Sequence, residues 1–181
     1  EIDTRSTNLK DFEPGQIVDV FNSQDKWLGK GYINPNSLIC IRLLSRDKNV
    51  EINRSLIVHK LNIALSLRER FYDKPYYRLV FGESDGLPGL IIDRYGDYCV
   101  VAIATAGMQK LQTEILAALE KVLKPKGVVL RNDSNIRQQE GLDRYVEIAS
   151  GSIPEMVELE EGKCRFQVSL TEGQKTGWFF D

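Results

Sequence analysis

The chain has little of the chemistry that marks a self-contained active site. It holds one histidine, three cysteines, two methionines and two tryptophans in 181 residues. A Ser-His-Asp or Cys-His arrangement would have to use His59, and no nucleophile motif surrounds it. Cys40, Cys99 and Cys164 lie far apart and show no paired spacing. That argues against a disulfide framework or a zinc site and fits a reducing, cytoplasmic location. No apolar run approaches the roughly 20 residues of a membrane helix. The best candidate, residues 99–104, is only long enough for a strand. Gly-x-Gly-x-x-Gly and the phosphate-binding P-loop pattern are both missing. Neither charge sign dominates, with 24 Lys and Arg against 26 Asp and Glu. A chain 42% apolar and 28% charged is globular rather than disordered or fibrous, and its length allows one or two domains with real cores.

Residues 1–70 hold 11 basic and 9 acidic groups, residues 71–181 hold 13 and 17. A polyanion contact therefore belongs in the first part. That part reads as short strands at residues 16–21, 27–33 and 38–44, separated by polar turns. Such spacing indicates a small β-barrel or sandwich. Gly29 and Gly31 inside the second strand mark a bulge or barrel corner. The basic groups Lys26, Lys30, Arg42, Arg46 and Lys48 lie near Trp27 and Tyr32. Basic groups interleaved with aromatics suit backbone contact and base stacking, although either aromatic serves equally as barrel core.

Residues 53–71 read as a helix whose apolar positions cover an arc of about 220° at 100° per residue. A surface helix needs a stripe of only about 100° or somewhat more, so burial on two sides is expected. His59 falls on the remaining polar arc and reads as a solvated side chain. Strands follow at residues 77–81, 90–95 and 98–103, the last two joined by Gly96-Asp97, which suits a type II′ turn. A one-sided helix at residues 108–123 ends at Pro125 and Gly127. Further strands are expected at 128–130, 145–148, 156–159 and 164–168. One helix among many hairpins makes the fold class α+β.

The 82–89 turn is glycine-rich, but Glu83 and Asp85 would repel phosphate there and read as turn formers. Arg131, Asp133 and Arg137 read as a solvated loop, and the cysteines as small core residues. On residues alone this is a two-domain fragment without an active site of its own. Glu1 is not an initiator Met, and Trp178, Phe179 and Phe180 need a covering surface. Both ends are read as cut.

Two stretches are more specific. Residues 77–97, containing Gly82-Glu83-Ser84-Asp85-Gly86-Leu87-Pro88-Gly89, resemble the bacterial S-adenosylmethionine-dependent large-subunit ribosomal RNA methyltransferases that make 5-methylcytosine. The closing Lys175-Thr176-Gly177-Trp178-Phe179-Phe180-Asp181 resembles that family's Lys-Thr-Gly-aromatic-aromatic-Leu-Asp-Gln-Arg motif, with Phe180 in place of Leu. Residues 15–20 and 26–32 resemble its PUA domain, while the family's His-Pro-Trp-type opening segment is missing.

The resemblance implies a PUA-like RNA-binding barrel at 1–52, lacking its first strand, and a connecting helix at 53–72. It implies a central domain of mainly antiparallel strands with one packed helix at 73–172, and the start of a methyltransferase domain at 173–181. Lys26, Lys30, Arg42 and Arg46 would contact ribosomal RNA. Lys175, Thr176, Gly177 and Asp181 would either approach S-adenosylmethionine or form the linker to its domain. No metal is implied. In the full enzyme a cysteine beyond Asp181 would attack C6 of cytosine and the cofactor would methylate C5, so this chain would hold no catalytic residue and be inactive alone. The oligomeric state stays open, a homodimer among the candidates. The alternatives are a non-catalytic RNA-binding adaptor and a methyltransferase of another RNA base.

Overall fold

A computed structural model describes residues 8–161 and 164–172. After a single 3-10 turn at Leu9–Asp11, three strands follow: β1 (Gln16–Phe21), β2 (Trp27–Ile33) and β3 (Ile41–Ser45). They form an antiparallel sheet in the order β1-β2-β3. The expected barrel is not closed among the described residues, because three strands are too few to curl a sheet onto its own edge. The register slips between Lys30 and Gly31 and again between Val20 and Phe21, opposite Gly29 and Trp27. These are the bulges the two glycines mark. A Cβ on Gly31 would meet the Arg42 carbonyl oxygen at 2.0 Å, so only glycine allows this approach.

Helix α1 (Arg54–Phe71) is capped by Asn53, whose side chain accepts from the backbone N–H of Ser55 and Leu56. It buries Ile57, Leu61 and Ala64, one stripe at helical spacing. Ile63, Leu67 and Phe71 are 57%, 45% and 76% exposed. Two-sided burial is therefore overturned. The wide apolar arc counts side chains, whereas burial depends on how many neighbours the fold supplies.

A five-stranded sheet in the order β4-β5-β6-β7-β8 forms the centre. Its strands are β4 (Tyr76–Phe81), β5 (Leu90–Tyr95), β6 (Tyr98–Ile103), β7 (Gly127–Asn132) and β8 (Tyr145–Gly151). All neighbours are antiparallel except β6 and β7. That parallel pair is joined through α2 (Ala106–Lys110) and α3 (Gln112–Leu123), since parallel neighbours need a long crossover. The single helix expected at 108–123 is thus two, divided at Leu111. Gly96 turns the β5–β6 hairpin with φ +65° while Asp97 stays at negative φ, as a type II′ turn requires. A short α4 (Ile136–Gln139) follows β7, and β9 (Val157–Glu161) pairs with β10 (Cys164–Val168) as a separate antiparallel hairpin.

Strand alternation gives the central sheet two buried faces. Leu90, Ile92, Cys99, Val101, Ile103, Val128 and Leu130 pack with Ile57, Leu61 and Ala64 of α1 and Ile115, Ala118 and Leu119 of α3. Tyr32 and Leu44 of the first sheet join that same cluster. On the other face Tyr95, Val100 and Val129 pack with Val157, Leu159 and Leu170. The central sheet thus carries two packed helices, α1 and α3, where one was expected. Of the cysteines, Cys99 is core, Cys40 is half-buried in the turn before β3, and Cys164 is exposed at the start of β10. Lying in or near a strand does not by itself bury a side chain, since alternate positions face water.

Candidate nucleic-acid interface

The basic residues named from sequence sit on the first sheet and its turns. Lys26 is exposed at the end of a turn closed by Asn22, whose Oδ1 accepts from the backbone N–H of Gln24 and Lys26. Lys30 is half-buried on β2, in register with Asp19 and Ser45. Arg46 is exposed directly after β3. Lys26, Lys30 and Arg46 enter no ion pair among the described residues. Arg42 differs. Its Nη1 donates to Glu83 Oε1 at 2.6 Å, with the arginine side chain 18% exposed and the carboxylate 65%. Cross-strand register places Ile17, Tyr32 and Arg42 side by side, with Lys30 on the same face as Tyr32. Lys30 and Arg42, both half-buried, therefore share the face through which Tyr32 packs on the central sheet, while Lys26 and Arg46 are exposed in the adjoining turns.

The two aromatics separate in role. Trp27 is half-buried and donates its indole N–H to Asp19 Oδ1 at 2.8 Å. Tyr32 is buried. Its hydroxyl donates to the Pro88 carbonyl at 2.7 Å and lies 2.8 Å from Thr105 Oγ1. A phenol has one proton, so Thr105 is the donor in the second bond. Burial pushes the Tyr32 phenol above its ordinary value, against the opposing pull of the Thr105 hydrogen bond. The ring lies flat against Gly107, where a Cβ would fall 2.0 Å from it. Tyr32 is therefore an anchor between the two sheets and is closed to base stacking. A second anchor lies nearby: buried Glu140 accepts from Asn34 Nδ2 at 2.6 Å and from the Ala106 N–H at 3.2 Å.

The 82–89 turn behaves as its composition suggests, with one addition. Asp85 Oδ2 accepts from the Phe81 N–H at 2.6 Å, and both its oxygens are held by Arg68 at 2.6 and 2.7 Å. Glu83 instead reaches across to Arg42, tying the turn to the first sheet. His59 is exposed.

Arg131 and Arg137 overturn the solvated-loop expectation, since both are buried. Arg137 donates to the carbonyls of Ile103 and Asp143 and to Gln109 Oε1, and its guanidinium lies 5.2 Å from the centre of the Tyr145 ring. Arg131 donates to the carbonyls of Leu170 and Glu172 and to Asp133. Most of these partners come from distant segments, 28 to 41 residues away in sequence, which is why a local pattern of charged residues misleads. Asn34, Thr105 and Glu140 were missed for the same reason. No short-range signal precedes them.

A cleft of about 360 Å³ opens between Tyr76, Tyr98, Pro154 and Met156 at the far end of β5. Asp97 and Glu158 on its rim make it a poor seat for phosphate. No three His, Cys, Asp or Glu side chains converge as a metal site among the described residues. No described helix is long and apolar enough to cross a membrane. Lys175, Thr176, Gly177 and Asp181 lie outside the described residues.

Comparison with known proteins bears on this surface directly. Residues 1–46 match the family model of the PUA-like domain. That stretch ends on Arg46, so it contains all four basic positions named above. The chain is 34% identical over 170 residues to ribosomal RNA large subunit methyltransferase I of Alteromonas mediterranea. It is 35% identical over 173 residues to the protein of that name from Aliivibrio fischeri. This chain is similar to part of ribosomal RNA large subunit methyltransferase I. The alignments take in 92% and 93% of this chain but 43% and 44% of those relatives, so the chain spans less than half their length. Among solved structures, a candidate SAM-dependent methyltransferase from Streptococcus mutans superposes with a TM-score of 0.77 at 24% identity, over 92% of this chain and 43% of that one. A candidate methyltransferase complexed with SAH gives the same values. At that identity the likeness shows a shared fold.

Proposed function

We propose that this chain is the RNA-holding portion of an S-adenosylmethionine-dependent ribosomal RNA (cytosine-5) methyltransferase acting in the cytoplasm. The observation that carries the reading is the 34–35% identity along nearly the whole chain to ribosomal RNA large subunit methyltransferase I. The PUA-like match over the strands that bear Lys26, Lys30, Arg42 and Arg46 supports it. In this reading Lys26, Lys30 and Arg46 meet phosphates first, because no carboxylate among the described residues holds them. Arg42 must exchange Glu83 for a phosphate. The Tyr32 and Glu140 anchors keep the basic face at a constant angle to the central sheet, which lets RNA held on one present a base at a defined distance from the other.

S-adenosylmethionine supplies the methyl group when bound. The residues proposed to approach it, Lys175, Thr176, Gly177 and Asp181, lie outside the described residues, so no step is assigned to them. A net charge of only +2 over residues 1–70 implies few phosphate contacts and a shallow dependence on salt.

The test is to express the gene together with any sequence that follows Asp181 and supply labelled S-adenosylmethionine with large-subunit ribosomal RNA. Label should enter the RNA, and nucleoside mass spectrometry should find it in 5-methylcytidine. Label in another nucleoside would replace the cytosine-5 assignment. No transfer, with RNA still bound, would favour the adaptor.

A further inference from the structure

Helix α1 sets Lys60, Ala64 and Arg68 in one row, four residues apart, against the 82–86 turn. Arg68 takes both oxygens of Asp85. Arg42, from β3, takes Glu83. Both carboxylates of the turn are therefore occupied by arginines. Lys60 lies over Gly86, where a Cβ would sit 2.6 Å from Nζ. It is half-buried and has no hydrogen-bond or ion-pair partner among the described residues. Three cations thus meet two carboxylates, and the surplus charge rests on Lys60. Burial also pulls the Lys60 ammonium below its ordinary pKa. A cation that has lost part of its water without gaining an anion is held at a disadvantage that an incoming anion relieves.

We infer that Lys60 is a phosphate contact for RNA, placed where the face of β1–β3 that carries Lys30 and Arg42 meets the 82–86 turn. The inference rests on the RNA-holding reading and extends its surface onto α1. One observation favours a nucleic-acid phosphate over a protein carboxylate: Glu83, which Arg42 holds, and Gly86, against which Lys60 lies, belong to the same turn, so the spot adjoins Arg42 and through it the basic residues of the first sheet. The backbone of a bound strand would pass from Lys26 and Lys30 across Arg42 to Lys60.

Amine acylation of the intact chain, with and without a large-subunit ribosomal RNA fragment, tests this by peptide mass spectrometry. Lys26, Lys30 and Lys60 should be protected several-fold by RNA. Lys126, which pairs with Asp97 at the opposite end of β5, should not. In parallel, Lys60→Gln should weaken RNA binding about two- to fivefold and lower the salt slope by roughly 0.7–0.9, the share of one phosphate, with a melting temperature that does not fall. Equal acylation of Lys60 in both states, with Lys26 and Lys30 protected, overturns the Lys60 assignment and leaves the RNA-holding reading intact. Protection of Lys60 alone by polyglutamate, with Lys26 and Lys30 untouched, assigns the site to an acidic protein partner and also overturns it. RNA that neither binds nor protects any lysine overturns both.

Discussion

The Tyr32 hydroxyl lies 2.7 Å from the carbonyl oxygen of Pro88, fifty-six residues later in the chain. This contact fastens β2 to the loop that leads into β5, and with Thr105 it makes the first sheet part of the central core. Tyr32→Phe keeps the ring but removes the donor to Pro88 and the acceptor for Thr105. Two buried polar groups then lack partners, and the loss in stability should be about 1–3 kcal/mol by urea titration. Because the folded phenol has a raised pKa, its contribution is fully present below the unfolded value of about 10 and is lost as pH rises toward the folded value. Stability of the native protein should fall above about pH 10, with a smaller fall in Tyr32→Phe. An unchanged alkaline profile would contradict this.

Asp93 is buried in the central sheet and binds Arg78 through both oxygens, at 2.7 and 3.1 Å. Its own pKa is pushed up by burial, with Arg78 opposing the shift. Asp93→Ala leaves the half-buried guanidinium without its anion. Removing one partner of a buried pair costs about 3–5 kcal/mol, which thermal or urea unfolding would show as a markedly lower midpoint. A loss below 1 kcal/mol, roughly the ceiling for an exposed pair, would mean that water reaches Arg78.

Glu83 is mostly exposed and holds Arg42 across the seam between the sheets. Glu83→Gln removes a charge that repels phosphate and frees the guanidinium. An exposed pair is worth about 0–1 kcal/mol, so RNA should bind up to about fivefold tighter, read by fluorescence anisotropy at fixed salt. Weaker binding would mean that Glu83 positions Arg42 for RNA rather than competing with it.

Lys124 closes α3 in the left-handed region, at φ 49°. A side chain there is strained, and glycine is the usual residue in this position. Lys124→Gly should raise stability by about 0.5–1 kcal/mol, visible as a higher melting temperature.

Local order was legible wherever the cause is local. Pro125 stops α3, Gly96 turns the β5–β6 hairpin, and Gly29 and Gly31 mark bulges, each through backbone geometry that the residue itself controls. The candidate site was legible only as a basic stretch. Among the described residues Lys26, Lys30 and Arg46 carry no ion pair, but Arg42 is claimed by Glu83, forty-one residues on, and Tyr32 is sealed into the core. In sequence Lys60 showed only as a charge inside the apolar arc of α1, because its interest lies in the neighbours that Arg68 and Arg42 have already taken.

By itself the amino-acid sequence determined where most strands and turns and the long helix α1 lie, because chain stiffness, capping and alternation act over a few residues. Tertiary structure alone decided that β6 and β7 run parallel, that α1 buries one stripe, and that Arg131 and Arg137 lie inside. Those outcomes depend on which distant carbonyls, rings and carboxylates arrive to replace water, and no short stretch of chain carries that information.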